Sequence, residues 1–387
     1  MLLVCDPVCC GQQHVPVNSG LLRIIKTAFP RRPVSFYAEK AHLDLVREQL
    51  NPEHGNDITW KEMEVPYRYT PFFRRFVPDL RLAAYIFNEA SKRQCSDIIF
   101  TTCLPSTIWA ARILLDSRYR YLRVIIVLHG ELGGIDGWRS RNPYLRLQDI
   151  GTALTVGNSK RIKYIVLEEP IRDLAIQKLP GLKEKIGFID HPLPQYTDEL
   201  TPTSFNPPFH FGFLGLATKQ KGFFTFLEIA KYILSKYPEQ ACFHLIGRIH
   251  PDYRHMDLPE LAFLATRAGN EPLERPEFIN RLRTLHYVCL FFQGSHYDYS
   301  ASGVLLDCVA WEKPVVATPT PTIQQLQKKY GDIGYIGGIE DVVRTVERIV
   351  RNKDARRYHS QINAMRRVKQ ARSLPTQAAR FRNLLNS

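Results

Sequence analysis

The feature that most constrains the fold is a repeated alternation between short apolar runs and helix-length amphipathic segments. In the first half of the chain we predict strands at LLVCD (from Leu2), VSFYA (from Val34), DIIFT (from Asp97), LRVIIVLH (from Leu122) and TALTVG (from Thr152). In the second half we predict strands at FHFGFLG (from Phe209), CFHLIG (from Cys242), YVCLFF (from Tyr287), PVVAT (from Pro314) and IGYIG (from Ile333). Such apolar strands, separated by helices, are typical of parallel sheets buried on both faces. The pattern predicts an α/β protein with two doubly wound, Rossmann-like domains.

A proline-rich stretch separates the two series of strands. Five prolines fall between Phe188 and Phe209, which disfavours helix and indicates an extended connector. We predict a first domain over residues 1–195, a second over 196–372, and a helix over 373–387. Because ligands of open parallel sheets bind beyond the carboxyl ends of the strands, we expect both ligand edges to face one central cleft.

The composition excludes several classes of protein. The chain has 387 residues, of which 44% are hydrophobic and 23% are charged, a balance typical of a soluble enzyme with two domains. No apolar run approaches the ~18 residues of a membrane-spanning helix, and we interpret the amino terminus as a first strand rather than a signal peptide. The eight cysteines include no C-x-x-C pair, so we interpret them as buried free thiols of a cytoplasmic protein without a zinc site.

The segment SASGVLLDCVAWEKPVVAT, residues 300–318, has the features of a nucleotide site. Ser302, Gly303 and Val304 begin a helix, and the missing side chain of Gly303 allows a phosphate to approach the free N–H groups there. Asp307 lies about one turn further along the same face, where its carboxylate can accept hydrogen bonds from two ribose hydroxyls. The structural alternative is that Ser302 caps the helix and Asp307 balances its dipole.

This segment resembles the nucleotide-binding segment of GT-B glycosyltransferases, especially the retaining family 4, whose pattern is E-x7-E followed by A-x-A-x-G-x-P-V-V-A. Asp307 stands at the second acid. FGFLGLATKQKGF, from Phe211, resembles the family's strand and glycine loop, which implies that Gly215 and Lys221 lie at the donor diphosphate. VIIVLHGELGG, from Val124, resembles the strand that ends in an active-site histidine, here His129. The resemblance also implies that the last helix crosses back to the first domain.

The chain departs from the family pattern at three places. Tyr299 stands where the first acid would contact the donor sugar, and the adjacent Asp298 is the alternative acid. Leu216 replaces the family's phosphate-binding arginine, for which Lys219 is a candidate substitute. Glu312 and Lys313 replace a small residue. These departures leave retention and inversion of the anomeric configuration both open, and the resemblance favours retention.

The chemistry of sugar transfer assigns roles to these residues. Negative charge develops on the departing diphosphate, and lysines and helix-end N–H groups stabilise it. No D-x-D pattern indicates a metal-bound diphosphate, so we expect no required metal or cofactor, with the nucleoside-diphosphate sugar as donor substrate. His129 and Glu131 are candidates for acid–base catalysis. In the loop after the first strand, His14, Asn18 and Gly20 are candidate acceptor contacts.

The formal net charge of +14 favours anionic partners. Arg74, Arg75 and Arg81 are interleaved with aromatic residues, which suits peripheral attachment to an anionic membrane surface. A second cluster contains Arg118, Arg120 and Arg123. The alternative is a solvated basic surface over an aromatic core.

Together these features predict a glycosyltransferase that moves a sugar from a nucleotide-sugar to a glycan or lipid-linked sugar acceptor, in polysaccharide or glycolipid synthesis. Two other functions stay open. One is a nucleotide-sugar epimerase of the same fold. The other is a non-enzymatic basic protein that binds nucleic acid, although no RNA-binding module or helix-turn-helix spacing indicates a nucleic-acid partner.

Overall fold

The computed structural model describes residues 1–50, 55–136, 141–157, 160–194, 203–266, 269, 271 and 273–386. The chain divides into two compact units. The first contains Met1–Pro192, Tyr299–Ala301 and Arg372–Ser387, and the second contains Leu193–Asp298 and Ser302–Ala371. The predicted domain boundary at residues 195 and 196 lies outside the described residues.

The first unit is built on a parallel sheet. Its described strands are β1 Leu2–Cys5, β2 Val34–Ala38, β3 Ile58–Glu62, β4 Asp97–Phe100, β5 Arg123–Leu128, β6 Ile162–Leu167 and β7 Ile186–Ile189. Among the described residues, the helices before the second unit are α1 Val15–Ala28, α2 Lys40–Gln49, α3 Phe72–Lys92, α4 Pro105–Ser117, α5 Pro143–Arg146, α6 Ile150–Thr155 and α7 Glu169–Lys178. The strand order is β3-β2-β1-β4-β5-β6-β7, so the direction of winding reverses between β1 and β4. A doubly wound sheet binds its ligands at such a reversal, beyond the carboxyl ends of the strands.

The second unit repeats this plan with a smaller sheet. Its described strands are β8 Phe209–Ala217, β9 Ala241–Ile249, β10 Tyr287–Leu290, β11 Val315–Ala317 and β12 Gly334–Ile336. Its helices are α8 Phe223–Lys236, α9 Arg275–Thr284, α10 Gly303–Ala310, α11 Pro321–Tyr330, α12 Val342–Asn352 and α13 Ala355–Ala371. The order β12-β11-β10-β8-β9 reverses between β8 and β10. The predicted fold class, two Rossmann-like α/β units, is confirmed.

Both sheets are buried on two faces, as the apolar strands predict. In the first unit, Leu3, Ile98 and Ile126 lie in one apolar cluster, and their neighbours of opposite alternation, such as Val4 and Ile99, lie in another. The second sheet likewise separates two clusters. Because successive side chains of a strand point to opposite faces, only strands apolar at every position can fill both layers.

One predicted strand is wrong. TALTVG, from Thr152, lies in α6 and the turn after it, because Asp149 caps the helix by accepting hydrogen bonds from the Thr152 N–H and hydroxyl, both at 2.7 Å. An aspartate at this position satisfies a free N–H of the first turn and favours helix. The strand that follows β5 is instead β6, with the sequence IKYIVL, which comes after this helix. The strands β3 and β7 were also not predicted.

The last helix, α14 Leu374–Asn386, belongs to the first unit and packs against α1. Phe381 and Leu385 are buried in one of the two apolar clusters of that unit. At the start of this segment Arg372 donates two hydrogen bonds to the buried Glu168 carboxylate, at 2.6 and 2.7 Å. A paired, two-point contact of this kind fixes the position of both side chains.

Three histidines form a row near the amino ends of β8 and β9. The Nδ1 of His210 lies 2.8 Å from Nε2 of His244, and the His210 N–H donates to Nδ1 of His286 at 2.9 Å. Burial lowers the pKa of His244 and of His286 to about 4. These imidazoles are therefore neutral hydrogen-bonding groups of the core at neutral pH.

Candidate functional site

The loop after β8 is shaped by a glycine and a threonine. Thr218 caps the short 3-10 turn Lys219–Lys221, because its side chain accepts a hydrogen bond from the Lys221 N–H at 3.3 Å. Gly222 follows with φ +77°, and a Cβ at this position would lie 2.4 Å from the Phe291 carbonyl oxygen. Only glycine fits both the left-handed backbone and the close approach. This turn fixes where the Lys221 side chain begins.

Three predicted donor residues come together at this edge. Gly215 has φ +82°, and a Cβ placed there would lie 3.6 Å from Nζ of Lys221 and 3.7 Å from Cγ2 of Val304. Burial lowers the pKa of Lys221. Within the part of the chain that the structure describes, no carboxylate or carbonyl contacts this ammonium. A partly buried cation without an anion nearby is suited to binding a phosphate.

The start of α10 lies open beside these residues. The Ser302 hydroxyl oxygen accepts a hydrogen bond from the Leu305 N–H at 3.3 Å, so Ser302 is the helix cap of the structural alternative. Gly303 is exposed, and a Cβ there would meet no atom within 4 Å. Capping uses one of the free N–H groups and leaves the positive end of the helix accessible to a ligand.

Asp307 has a partner that the sequence did not indicate. Arg275, the first residue of α9, contacts both of its carboxylate oxygens, with NH1 3.4 Å from Oδ2, and its guanidinium lies 5.0 Å from the ring centroid of Phe278. Arg275 therefore fixes the orientation of the Asp307 carboxylate.

The other residues predicted to act on the donor substrate differ in their exposure and contacts. Lys219 is exposed, and its backbone N–H donates to the Tyr253 hydroxyl at 3.3 Å. Asp298 is half-buried at the end of the 3-10 turn Ser295–Asp298. The position of Tyr299 does not fit the expected contact with the donor sugar. It belongs to the first unit, is 3% exposed, and donates from its hydroxyl to Asp136 Oδ2 at 2.6 Å. A buried hydroxyl needs an acceptor, and Asp136 supplies one, so we do not retain Tyr299 as a donor contact.

The residues at the Glu312-Lys313 departure are structural. Glu312 has φ +52° and forms an ion pair with Arg366 at 2.8 Å. The buried ammonium of Lys313 donates to Thr203 Oγ1 and to the carbonyl oxygens of Arg283 and Leu285, at 2.7 to 2.8 Å. Burial lowers the pKa of Lys313 to about 7. This lysine holds three segments of the second unit together.

In the first unit, His129 follows β5 and lies among other histidines. Its ring centroid is 4.3 Å from that of His14, in an edge contact, and 5.5 Å from that of His191. Burial, together with these neighbours and Arg68, lowers the pKa of His129 well below its ordinary value. Burial likewise lowers the pKa of His14 and of His191 to about 4. These three imidazoles are neutral at pH 7 and can accept or donate hydrogen bonds.

Glu131 begins the 3-10 turn Glu131–Gly134, immediately after Gly130 with φ +84°. Its side chain is 4% exposed. Oε2 accepts a hydrogen bond from the His129 N–H at 2.5 Å, whereas Oε1 has no hydrogen-bond partner among the described residues. Burial raises the pKa of Glu131 to about 8, although Arg68, with NH2 at 3.8 Å from Oε1, opposes the effect. Glu131 is therefore largely protonated at neutral pH.

Asn18 and Gly20 are structural rather than accessible. Asn18 is fully buried and donates to Asp6 Oδ2 at 2.6 Å, with its amide nitrogen 2.7 Å from Nε2 of His42. A Cβ on Gly20 would lie 2.4 Å from Cβ of Pro192, so this glycine allows a close packing contact. Neither residue is retained as an acceptor contact. Of the predicted acceptor residues only His14, which is half-buried, lies beside His129.

Sequence reasoning missed several residues near the carboxyl edge of the first sheet. Asp6, which follows β1, accepts hydrogen bonds from the Val8 and Cys9 N–H groups at 3.0 and 2.8 Å and organises the loop. Its place directly after an apolar strand was a usable signal. Arg68 and His191 carried no such signal, because each reaches the site from a segment distant in sequence.

The basic and aromatic segment from Arg68 is only partly a surface. Arg75 is 1% exposed and donates to Asp79 Oδ2 at 3.0 Å and to the Pro7 carbonyl oxygen at 3.0 Å, so its assignment to a basic surface is wrong. The extended guanidinium satisfies several buried acceptors at once. Arg74 and Arg81 are exposed, as predicted.

The second basic cluster is likewise partly structural. Arg123 donates to Asp97 Oδ1 at 2.8 Å and to the Leu385 carbonyl oxygen at 3.0 Å, which ties α14 to the sheet. The guanidinium of Arg118 lies 5.5 Å from the ring centroid of Tyr119. Arg123 is therefore partly engaged in holding the first unit together.

Two searches of the structure bear on metals and membranes. Among the described residues, no group of three or more histidine, cysteine, aspartate or glutamate side chains is placed to hold a metal ion. No helix in the described ranges has both the length and the apolar character needed to cross a bilayer.

Comparison with solved structures identifies the fold. The structure of Anabaena Alr3699/HepE in complex with UDP-glucose aligns with a TM-score of 0.66 at 15% sequence identity, covering 100% of this chain and 99% of that one. A glycosyltransferase from Rickettsia africae aligns with a TM-score of 0.68 at 13% identity and the same coverage. A putative UDP-N-acetylglucosamine 2-epimerase from Listeria monocytogenes aligns with a TM-score of 0.56 at 12% identity, covering 96% of this chain and 95% of that one.

These likenesses extend over the full length of the chain, which has a GT-B fold. The sequence itself matches no protein-family model and no curated protein.

Proposed function

We propose that this protein is a glycosyltransferase that moves a sugar from a nucleoside-diphosphate sugar to a hydroxyl of a glycan or lipid-linked sugar. The observation that carries the proposal is the meeting of Gly215, Lys221 and Val304 at the carboxyl edge of the second sheet, in a GT-B fold. A partly buried ammonium, a glycine loop and an open helix start are groups suited to stabilising a departing diphosphate.

The donor is proposed to lie along this edge. Lys221 and the N–H groups at the start of α10 bind the diphosphate, and Asp307, held by Arg275, accepts hydrogen bonds from the ribose hydroxyls. UDP is the first nucleotide to test, because HepE, which shares the fold, is described in complex with UDP-glucose. Lys219, which is exposed, makes a weaker, solvent-screened contribution to the phosphates.

The proton chemistry is assigned to the first unit. The attacking hydroxyl must lose a proton as it bonds to the sugar, and the ionised form of Glu131 can accept it. Because burial raises the pKa of Glu131 to about 8, the ionised fraction grows as the pH rises through that value. His129, which is neutral, orients a sugar hydroxyl through its ring. The family resemblance supports retention of the anomeric configuration, with Asp298 as the candidate acid on the second unit. Proton NMR of the product determines the configuration.

An aromatic surface supports attachment to an anionic membrane from its cytoplasmic side. Tyr67, Tyr69, Phe73 and Val77 are 68%, 72%, 52% and 49% exposed. The exposed Arg74 lies in the same helix as Phe73 and Val77. Aromatic and basic groups together bind the interface of anionic bilayers. Flotation with phosphatidylserine vesicles tests this: Phe73→Ser should reduce binding, and binding to neutral vesicles alone would contradict it.

The decisive experiment combines nucleotide binding with turnover. Thermal unfolding is measured across nucleoside diphosphates and their sugars, and we expect UDP and one UDP-sugar to raise the melting temperature. Release of the nucleoside diphosphate is then measured with and without extracts of glycan acceptors. Stabilisation by no nucleotide, or by oligonucleotides alone, would refute the proposal.

A nucleotide-sugar epimerase is the second candidate, favoured by the likeness to the Listeria structure and by the adjacent His129 and Glu131. Incubation of a UDP-sugar without acceptor separates the two. An epimerase converts the sugar while the nucleotide stays attached, whereas a transferase leaves the donor unchanged or hydrolyses it slowly.

A further inference from the structure

Three neighbouring strands of the first sheet end in polar residues that are linked by direct contacts. In the strand order β5-β6-β7, His129 follows β5, Glu168 follows β6, and His191 lies two residues after β7. The carboxyl ends of adjacent parallel strands meet at one edge of a sheet. The proposed reaction uses His129, and it leaves Glu168 and His191 without a role.

Glu168 is buried in a backbone conformation that disfavours it. Its side chain is 2% exposed, and its φ of +129° lies in the range that favours glycine. Another residue persists there only when the surrounding contacts hold it, and such strain is common at functional sites. Arg372 supplies the contacts, because its NH1 and NH2 groups donate to Oε1 and Oε2 of Glu168 at 2.6 and 2.7 Å.

The same carboxylate also holds the backbone after β7. Oε1 of Glu168 accepts a further hydrogen bond from the His191 N–H at 3.2 Å. The carboxylate therefore contacts the chain where it leaves the first unit at Pro192 and where the carboxy-terminal segment rejoins that unit at Arg372. Burial raises the pKa of Glu168, and the guanidinium opposes this rise. Removing Arg372 would favour protonation of Glu168 and weaken its hydrogen bond to His191.

His191 is held at its ring as well as at its backbone. Nδ1 of the ring lies 3.0 Å from the Pro192 carbonyl oxygen. Burial lowers the pKa of His191 to about 4, so the ring carries one proton at pH 7. A carbonyl oxygen only accepts hydrogen bonds, so that proton resides on Nδ1 and Nε2 keeps its lone pair. These contacts fix both the position and the tautomer of His191.

The ring of His191 in turn packs against His129. Their ring centroids are 5.5 Å apart, with the planes tilted by 59°, and the ring of His14 lies 4.3 Å from His129 in an edge contact. Within the described ranges, the ring nitrogens of His129 form no hydrogen bond with the protein. Ring contacts therefore set the orientation of His129, and a displaced His191 would allow it to turn.

From these contacts we infer that Glu168 is a positioning residue for the acceptor site of the first unit. Together with Arg372 it fixes His191, and His191 holds the ring of His129 in the orientation that meets a sugar hydroxyl. The carboxy-terminal segment thereby completes the site, since Arg372 is its first residue. The inference rests on the proposed function, because the orientation of His129 affects a rate only if this ring contacts substrate. A shift of about 1 Å in such a group can lower a rate about a hundredfold.

The alternative is that the pair of Glu168 and Arg372 only attaches the carboxy-terminal segment. Glu168→Met combined with Arg372→Leu separates the two roles, because it removes both charges at once. Replacing a whole buried ion pair with apolar side chains often leaves stability near that of the wild type, whereas Arg372→Leu alone leaves a buried carboxyl without its partner. Thermal unfolding should therefore show a lower melting temperature for Arg372→Leu than for the double variant.

Steady-state rates test the positioning. In the double variant we expect kcat for sugar transfer to fall about 10- to 100-fold while KM for the nucleotide-sugar stays within about twofold, because the proposed donor site lies in the second unit. Arg372→Lys, which keeps the charge but not the two-point contact, should give an intermediate kcat. Arg382→Ala removes a hydrogen bond from α14 to the Ala28 carbonyl oxygen, and this matched control should keep the wild-type kcat. Wild-type kcat in the double variant and in Arg372→Lys would overturn the inference.

A second measurement needs no substrate. NMR of isotopically labelled histidine side chains reports the tautomer and surroundings of each ring, and His129→Gln and His191→Gln assign the two signals. Both signals should shift in the double variant and in Arg372→Lys, whereas those of His244 and His286, in the second unit, should not. Shifted signals in a protein that no nucleotide stabilises would support the positioning and refute the proposed function. Unchanged signals in a protein that UDP stabilises would refute the positioning alone.

Discussion

The carboxyl edges of the two sheets follow the same topological rule and carry opposite kinds of chemistry. In the first unit, His14, His129 and Glu131 are packed together and are neutral at pH 7, because burial shifts the pKa of each. In the second unit, Lys221 is a cation beside an open helix start, and Asp307 is an anion held by an arginine. The first edge is suited to holding and exchanging protons, and the second is suited to binding charge.

The difference arises from the residues that follow each strand. After β5 the sequence HGEL turns the chain back, so that the Glu131 carboxyl caps the backbone of His129 and is buried by it. After β8 the turn Lys219–Lys221 and Gly222 bring an ammonium beneath the glycine loop. The same strand-turn-helix plan therefore yields two functions, because burial of a carboxyl neutralises it whereas an ammonium that keeps its charge attracts an anion.

The largest expected effect comes from removing the exchangeable proton of the first edge. Glu131→Gln should lower kcat for sugar transfer about 10²–10⁴-fold, the usual contribution of a positioned acid or base. The wild-type rate should rise as the pH passes through about 8, because Glu131 then loses its proton and can accept one from the attacking hydroxyl, and the variant should lose this rise. Initial rates between pH 6 and 9.5 measure both. The exposed Glu64→Gln is the matched control, and a Glu131→Gln rate within about threefold of wild type would remove the carboxyl from the mechanism.

The second-largest expected effect tests the positive charge at the carboxyl edge of the second sheet. Lys221→Ala should weaken UDP binding about 10–100-fold, since a hydrogen bond between a charged donor and phosphate contributes about 1.5–3 kcal/mol. The exposed Lys219→Ala should cost less than about fivefold, because solvent screens its charge. Calorimetric titration gives the dissociation constants. Lys236→Ala, at the far end of α8, is the control. Equal losses at Lys219 and Lys221 would mean that burial does not distinguish them.

A smaller effect concerns the free energy of unfolding in acid, and it compares buried histidines of the two units. His14 and His191 lie in the first unit and His244 and His286 in the second, all with a pKa of about 4 caused by burial. Between about pH 6.5 and pH 4 the unfolded chain takes up protons that the folded chain does not, so the free energy of unfolding falls. Above pH 6.5 these histidines are neutral in both states and contribute no pH dependence.

One substitution isolates the second unit in this measurement. His244→Gln should recover about 2 kcal/mol of the loss at pH 4.5, relative to its own stability at pH 7.5. Urea unfolding at the two pH values gives the difference. An equal loss in the variant and the wild type would show that His244 is already protonated in the folded chain, or that the first unit alone sets the acid sensitivity.

The smallest effect compares two glycines with equally open surroundings. A Cβ at Gly303 or at Gly133 would meet no atom within 4 Å, so both alanine variants should fold normally. Gly303→Ala places a methyl group where a phosphate would approach the start of α10, and should weaken UDP binding about threefold to tenfold. Gly133→Ala, in the first unit, should leave it unchanged. If both or neither alters UDP affinity, the phosphate does not approach at Gly303.

The sequence was sufficient to predict the fold because parallel strands buried on both faces must be apolar at every position. It failed at TALTVG, where the apolar pattern fits a strand but Asp149 caps a helix. Short runs cannot be assigned by periodicity alone, and the capping residue was the signal to use.

The candidate site was predictable only in part, and the limit was tertiary contact. The placement of Lys221 follows from local turn chemistry, and the structure brings it to Gly215 and Val304. Arg275 meets Asp307 across 32 positions of sequence, and Arg68 meets Glu131 across a longer separation. Neither pairing leaves a local pattern. The burial of Glu131, which raises its pKa, and the burial of Arg75 are likewise properties of the folded unit.

The chain enters the second unit at Leu193 and, apart from the short segment Tyr299–Ala301, returns to the first at Arg372, so the first unit is not a continuous piece of sequence. During synthesis the ribosome releases residues 1–192 long before Phe381 and Leu385 exist to cover α1. A nascent chain stalled before residue 372 must therefore expose that apolar face, and it is a natural client for a chaperone until its final segment emerges.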